Sequence, residues 1–235
     1  MTAMNSASRT ARERARAELT REIKEEARRQ LAAHGAQGLS LRSVARQLGM
    51  VSSALYRYFA SRDELLTALI IDAYDALGEA AERAVSGLPA ADVRGRWRAA
   101  CAAIRNWALA SPHEYALIYG SPVPGYQAPQ ATVASAIRAS QVLGGIVADA
   151  AGGSDPPQPQ AEPLPRALVG QTAIVADAIA PDVDGSLIAR ALIAWTQLFG
   201  MISFELFGQF VGALEPADAF FGYAVDQMAD YIGLH

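Results

Sequence analysis

The chain has 235 residues, 51% of them hydrophobic and 19% charged, which leaves room for one or two domains with a packed core and excludes a disordered or fibrous polymer. Its net charge of −4 is an average over two unlike parts: residues 1–62 hold twelve Arg or Lys against five Glu, a balance of +7, and the remainder stands at −11. A basic N-terminal module on an acidic body is the asymmetry expected when one end alone meets phosphate.

In chain order, residues 1 to about 9 are polar and are expected to be disordered. Thr10 and Glu13 have capping-box spacing, which predicts a long first helix ending near His34 and Gly35. Leu19, Ile23, Ala27 and Leu31 form its apolar stripe, and several of its arginines have Glu18, Glu22, Glu25 or Glu26 within helical reach. Arg9 to Arg16 has fewer acidic neighbours and fits an arm laid along a nucleic-acid backbone.

The stretch from Ser40 to Leu66 is the most informative. Ser40 is placed to cap a helix whose apolar side is Leu41, Val44, Ala45 and Leu48, and Gly49 ends it. After Met50 and Val51, Ser52 is placed to cap a second short helix, Ser53 to Phe59, with Leu55, Tyr56 and Phe59 as its apolar side. Ser61 and Glu64 supply the S-x-x-E start of a third. Two short helices joined by a three-residue, glycine-containing turn make a helix-turn-helix, whose second helix enters the major groove of DNA.

With its L-Y-R-Y-F segment and the S-R-D-E-L-L start of helix four, this stretch resembles the DNA-binding domain of TetR-family transcriptional regulators. In that family the position of Tyr58 is usually His and that of Arg62 usually Lys, so both keep a phosphate donor. On the recognition helix, Ser52, Ser53 and Ala54 are small residues at the end where base edges are met, and Arg57 is the one long side chain able to make a bidentate contact to guanine. Tyr56 and Tyr58 fit phosphate contacts, and the resemblance adds Arg42, Ser43 and Arg62 at helix starts.

Helix four is predicted over Arg62 to about Ser86, ended by Gly87 and Pro89. In the family this helix joins the DNA-binding domain, here 1–62, to a ligand-binding and dimerisation domain, here 63–235. Beyond it the pattern stays helical, near Asp92–Ala110, Pro112–Tyr119, Pro129–Ala151, Pro165–Ile179, Gly185–Phe210 and Pro216–Ile232. The loop from Gly120 to Pro129 is stiffened by prolines, and the segment from Gly152 to Pro165 is a proline-rich linker. The second part of the chain further resembles the TetR subgroup with a W-x-x-x-H-G signature, with Phe199 in place of the histidine after Trp195, and through the stretch from His113 to Tyr126.

The body of the chain is rich in large apolar residues. Trp97, Cys101, Ile104, Trp107, Tyr115 and Tyr119 lie on two adjacent helices, with Ile137, Ile174 and Phe199 able to face them. They are either ordinary core or the wall of a cavity between bundle helices. That such a cavity takes a small apolar or amphipathic effector is what the resemblance implies. Phe204, Phe207, Phe220 and Tyr223 make the last two helices apolar on more than one side, which calls for a partner, and Gly208-x-x-x-Gly212 suits close helix approach. TetR relatives dimerise through such a four-helix bundle.

Other classes fit poorly. His34, His113 and His235 are scattered, no zinc-ligand spacing, phosphate-cradling loop or G-x-S-x-G occurs, and no catalytic residue, metal or cofactor is expected. The apolar run from Ala191 to Leu214 is interrupted by Glu205 and four other polar residues, which favours a buried helix over a membrane span. The lone Cys101 and an N-terminus without a signal-peptide core suit a cytoplasmic protein. The expectation is an all-α, homodimeric regulator that binds a double-stranded operator and answers to a ligand. The competing expectation is an all-α ligand-binding or interaction protein that binds no operator.

Overall fold

The computed structural model describes residues 2–158 and 163–235, with side chains from Ala11 onward. Among them every regular element is helical: α1 (Thr2–His34), α2 (Leu41–Gln47), α3 (Ser52–Leu55), α4 (Arg62–Val85), α5 (Val93–Ala110), α6 (Pro112–Tyr119), α7 (Val133–Ala136), α8 (Arg138–Ala151), α9 (Arg166–Ile179), α10 (Gly185–Leu206) and α11 (Asp218–Ile232). They fall into two compact units, residues 1–72 with 113–132, and residues 73–112 with 133–235. The boundary after Asp72 lies inside α4, and the segment 113–132, allotted on sequence to the second domain, groups with the N-terminal unit.

In the first unit, α1 buries Ile23, Ala27 and Leu31 against α2 and its neighbours, while Leu19 is only half-buried. The helix is already formed at Thr2, which corrects the expectation of disorder up to about residue 9, so Thr10 lies within it and the expected capping box there does not start it. Gly35 closes α1 with a φ of 68°, its N–H bonded to Leu31 O at 2.9 Å. The pairing of its cations reaches beyond the helix: Arg21 bonds Glu18 and Glu25, but Lys24 and Arg28 both bond Asp72, and Arg28 also bonds Glu114 at 2.9 Å. Those bonds, with the Thr67–Tyr126 hydroxyl pair at 2.9 Å, are why 113–132 belongs here. The start of α4 shows the capping box in working form: Glu64 N–H donates to Ser61 Oγ at 3.1 Å, and the Glu64 carboxylate accepts from Ala60 N–H.

The second unit packs α5 against α8 and α11, and α10 against α9, α11, α5 and α8. Trp97, Cys101, Ile104, Ile146, Ile188 and Leu198 form its centre. α10 is long and apolar enough to cross a bilayer by composition, yet here it turns Leu187, Ile188, Ala194, Leu198 and Ile202 into this core. It stops at Leu206, earlier than Phe210, because Gly208 takes a φ of 79°. Gly208 N–H then bonds Glu205 O and Gln209 N–H bonds Phe204 O, a Schellman stop that satisfies the last carbonyls. Gly208 and Gly212 therefore lie in the loop after α10 and not within the helix expected to extend to Phe210.

Two further boundaries moved. The helix expected over Pro129–Ala151 breaks at Ile137 into a short 3₁₀ turn, α7 and α8, and α11 starts at Asp218 and not at Pro216. Of the proline-rich segment, residues 159–162 lie outside the described residues. Pro157 packs on Gly233, where a Cβ would stand 3.0 Å from it, and the Gln158 carbonyl accepts from Arg190.

Candidate functional site

The helix-turn-helix is held by a few bonds of defined geometry. Ser40 caps α2 in extended conformation, its Oγ accepting from Ser43 N–H, and Leu41, Val44 and Ala45 are buried beneath it. Gly49 supplies the turn with a φ of 66°, a region that side-chain-bearing residues enter only at a cost. Met50 N–H reaches back to Ala45 O at 2.8 Å. The second helix is shorter and begins earlier than its sequence suggests. Val51, extended, precedes it, Ser52 is its first residue and Leu55 its last. Tyr56, Arg57 and Tyr58 follow in a tighter turn in which Tyr58 N–H bonds Leu55 O at 2.8 Å. Leu55 and Phe59 anchor this piece in the core, and Leu48, read as core, is only half-buried.

That anchoring decides what faces outward. Ser53, Tyr56 and Arg57 are exposed, Ser52, Ala54 and Tyr58 half-buried, and Arg42 is exposed beside the half-buried Ser43. Arg42, Tyr56 and Arg62 line one shallow groove together with Ser40 and Ser61. Arg62, expected as a phosphate donor, is tied down internally: its guanidinium donates to Leu39 O at 3.2 Å and Ala36 O at 2.7 Å. It holds the turn before α2 against the start of α4 with two of its five N–H donors.

Three contributors were missed or left vague. Arg16 on α1 lies over the Tyr58 ring, 5.4 Å from its centroid, and donates to Arg57 O, so it fastens α1 to the turn after α3. Val51 is 70% exposed at the entry to α3, an apolar side chain left outside the core. Arg46, on the outer side of α2, has no carboxylate partner among the described residues, nor have Arg12, Arg14, Arg42 and Arg57. Its i, i+4 spacing from Arg42 was the available signal.

In the second unit a cavity of about 250 Å³ lies between α5, α8, α9 and α10. Trp97, Ile137 and Ile174 of the expected set line it, with Trp195, Leu143, Val147, Ile179 and Leu192 among the others. Cys101 and Ile104 are fully buried and Phe199 nearly so, as core away from the lining; Trp107 is half-buried and does not line it. Burial pushes the Cys101 thiol well above its ordinary range, so it stays protonated and inert. Tyr115 and Tyr119 belong to the first unit, where their rings lie 5.2 Å apart. Of the expected association residues, Phe204, Phe207 and Tyr223 are 54%, 49% and 64% exposed, while Phe220 is half-buried and packs edge-on to Phe210. No group of metal-ligating side chains occurs among the described residues.

A helix-turn-helix with unpaired cations, joined by a long helix to an all-helical body, defines a DNA-binding regulator of transcription. Residues 23–69 match the family model for bacterial regulatory proteins of the tetR family, and residues 97–228 match the tetracyclin repressor-like C-terminal domain. The HTH-type transcriptional regulator Rv1816 of Mycobacterium tuberculosis is 39% identical over 198 residues, covering 83% of this chain and 84% of the relative. Among solved structures, the regulatory protein SCO4313 superposes with a TM-score of 0.77 at 34% identity, over 93% of this chain and 98% of that one. A TetR family regulator from Marinobacter aquaeolei VT8, at 19% identity and a TM-score of 0.59, shares the fold over 93% of this chain and 97% of its own. The chain belongs to the TetR family of transcriptional regulators.

Proposed function

We propose that this regulator works in the cytoplasm as a homodimeric, ligand-responsive repressor of a palindromic operator, with residues 1–62 as its DNA-binding domain and 63–235 as its effector and dimerisation domain. The observation that carries the reading is the set of exposed arginines without carboxylate partners among the described residues, Arg42, Arg46 and Arg57, around a recognition helix anchored by Leu55 and Phe59. Arg57 is the base-reading candidate, Ser52, Ser53 and Ala54 meet base edges, and Arg42, Ser43, Tyr56 and Tyr58 take phosphates. Arg62 holds the turn behind them and adds a further phosphate donor. One helix-turn-helix reads one half-site, and two half-sites about 34–36 Å apart need two copies. The outward Phe204, Phe207 and Tyr223 on and beside α10 and α11 support that association.

Ligand control runs through α4. Arg138 lies across Gly78, its guanidinium bonded to Asp75 and to both oxygens of Glu82, and the preceding Ile137 lines the cavity. A ligand that displaces Ile137 changes this clamp, and α4 carries the change toward the helix-turn-helix. The effector must bind the DNA-incompetent state more tightly, with a coupling of about 1–3 kcal/mol.

The test is a fluorescence-anisotropy titration of the protein against a duplex from its own upstream region at two salt concentrations. Tight binding that weakens steeply with salt is the expected result. Absence of binding there and to mixed-sequence duplex at low salt would instead favour an all-α ligand-binding protein. Sedimentation at micromolar concentration checks the dimer, and a stable monomer would refute it.

A further inference from the structure

The recognition helix opens on a residue that does little for its own stability. Val51 is the N-cap of α3, in extended conformation, and its carbonyl accepts from Ala54 N–H at 2.9 Å. Serine, threonine, aspartate and asparagine suit that position because a side-chain oxygen satisfies a free N–H of the first turn; valine is among the residues that suit it least. Among the described residues no side-chain hydrogen bond closes the start of α3, whereas Ser40, Asp92 and Asp184 cap α2, α5 and α10. Val51 is also 70% exposed. Of the exposed large apolar side chains among the described residues, only Val51 and Tyr56 belong to the first unit, and both lie on this piece. An isolated valine on a surface is ordinary. One that leaves the recognition helix uncapped and adds nothing to the core calls for a contact made from outside the chain.

The surroundings decide the kind of contact. Arg42, Arg46 and Arg57 are exposed and have no carboxylate partner among the described residues, and Ser53 is exposed two positions beyond Val51. One aliphatic point among cations suits a polyanion, and its apolar area is far below what a stable protein partner needs. The N-terminal end of a recognition helix meets base edges, and the C5-methyl of thymine is the apolar group that bases present in the major groove. We propose that Val51 is a specificity-determining residue, which reads a thymine of the half-site by packing on its C5-methyl. This deepens the operator-binding reading and rests on it. The helix cap is given up for the contact: serine at this position would close the helix start and set a hydroxyl against the methyl.

Two duplexes that differ only in methyl groups test this with the full-length protein: one from its own upstream region, and the same sequence with every thymine replaced by deoxyuridine, which keeps all pairing and hydrogen-bonding groups. Anisotropy titration of the wild type should show the uracil duplex binding about fourfold weaker for each half-site contacted, the effect of burying one methyl-sized group. Val51→Ala should bind the thymine duplex more weakly and reduce the difference between the two duplexes to less than about twofold. Val51→Ser should lose the preference in the same way while its urea midpoint rises, because the cap is restored. The wild-type comparison needs no variant. Equal binding of the two duplexes by the wild type overturns the proposal. So does a uracil penalty that survives undiminished in both variants, which would place the methyl against another residue. A lower urea midpoint for Val51→Ser would make the valine structural and overturn the exchange of cap for contact. Binding without discrimination between the duplexes strikes this proposal alone; no binding to either duplex at low salt strikes the operator reading and this proposal with it.

Discussion

Arginine is divided differently in the two units. In the second, Arg83, Arg94, Arg96, Arg98, Arg105 and Arg138 end on carboxylates, at 2.5–2.9 Å, while Arg190 donates to the Gln158 carbonyl and Arg166 finds no carboxylate among the described residues. In the first, Arg21, Lys24, Arg28 and Arg29 are paired in the same way, whereas Arg12, Arg14, Arg42, Arg46 and Arg57 find no carboxylate among the described residues. A paired guanidinium holds helices together; an unpaired one on a rigid surface keeps its charge for a phosphate. The count of basic residues therefore says less than their partition. A protein with a net charge of −4 gathers its basic surplus in residues 1–62, which balance to +7 while the remainder stands at −11.

The contrast is broken most severely at Arg105. This side chain is 9% exposed, bonded at both Nε and Nη2 to Glu205 and by Nη1 to Asp218, and it lies over the Phe221 ring. Arg105→Ala leaves Glu205 without its partner in a part-buried site, at a cost of about 3–5 kcal/mol in urea denaturation. The next effect should be purely functional. Arg57→Ala removes a contact worth about 1–3 kcal/mol, so operator affinity falls roughly tenfold or more while the denaturation midpoint barely moves. Adding Tyr58→Phe deepens the loss, and unchanged affinity in the double variant would sink the recognition-helix assignment.

A smaller effect lies at the start of α10. Asp184 caps it, and hydrogen bonds from the Ser186 hydroxyl and backbone N–H hold its carboxyl below the ordinary carboxylate range. Asp184→Ala should cost about 1 kcal/mol at neutral pH. Because the folded pKa is lowered, that stability is full above the ordinary range and is lost as pH falls through the lowered value. The gap between wild type and variant must therefore close in acid. The smallest change is Arg12→Ala, which should weaken all duplexes alike and flatten the salt dependence by about one phosphate contact.

Much of this was legible wherever one local rule decides the outcome. The S-x-x-E box at Ser61 and the proline at Pro112 placed α4 and α6 within a residue of their observed starts. The rest depended on neighbours that sequence does not list. Gly208 serves equally as a packing surface or a helix stop, and only its φ chooses. Segment 113–132 belongs to the first unit because Arg28 and Thr67 reach Glu114 and Tyr126 across long sequence separations. Trp97, Cys101 and Ile104 share one apolar stripe of α5, yet Trp97 lines the cavity and the other two are solid core. An apolar pattern fixes which side turns inward; it carries no signal for where packing leaves a space.

The burial of Cys101 has a practical side. With its thiol fully enclosed and its ionisation suppressed, a maleimide or methanethiosulfonate label added to the folded protein has no native site to attack. One new cysteine at an exposed position such as Gln47→Cys, at the end of α2, then carries the only label in each copy. In the proposed dimer, the distance between two spin labels placed there, with and without a bound molecule, would read the span of the helix-turn-helix pair directly, in a protein whose interior had not been altered to make the measurement possible.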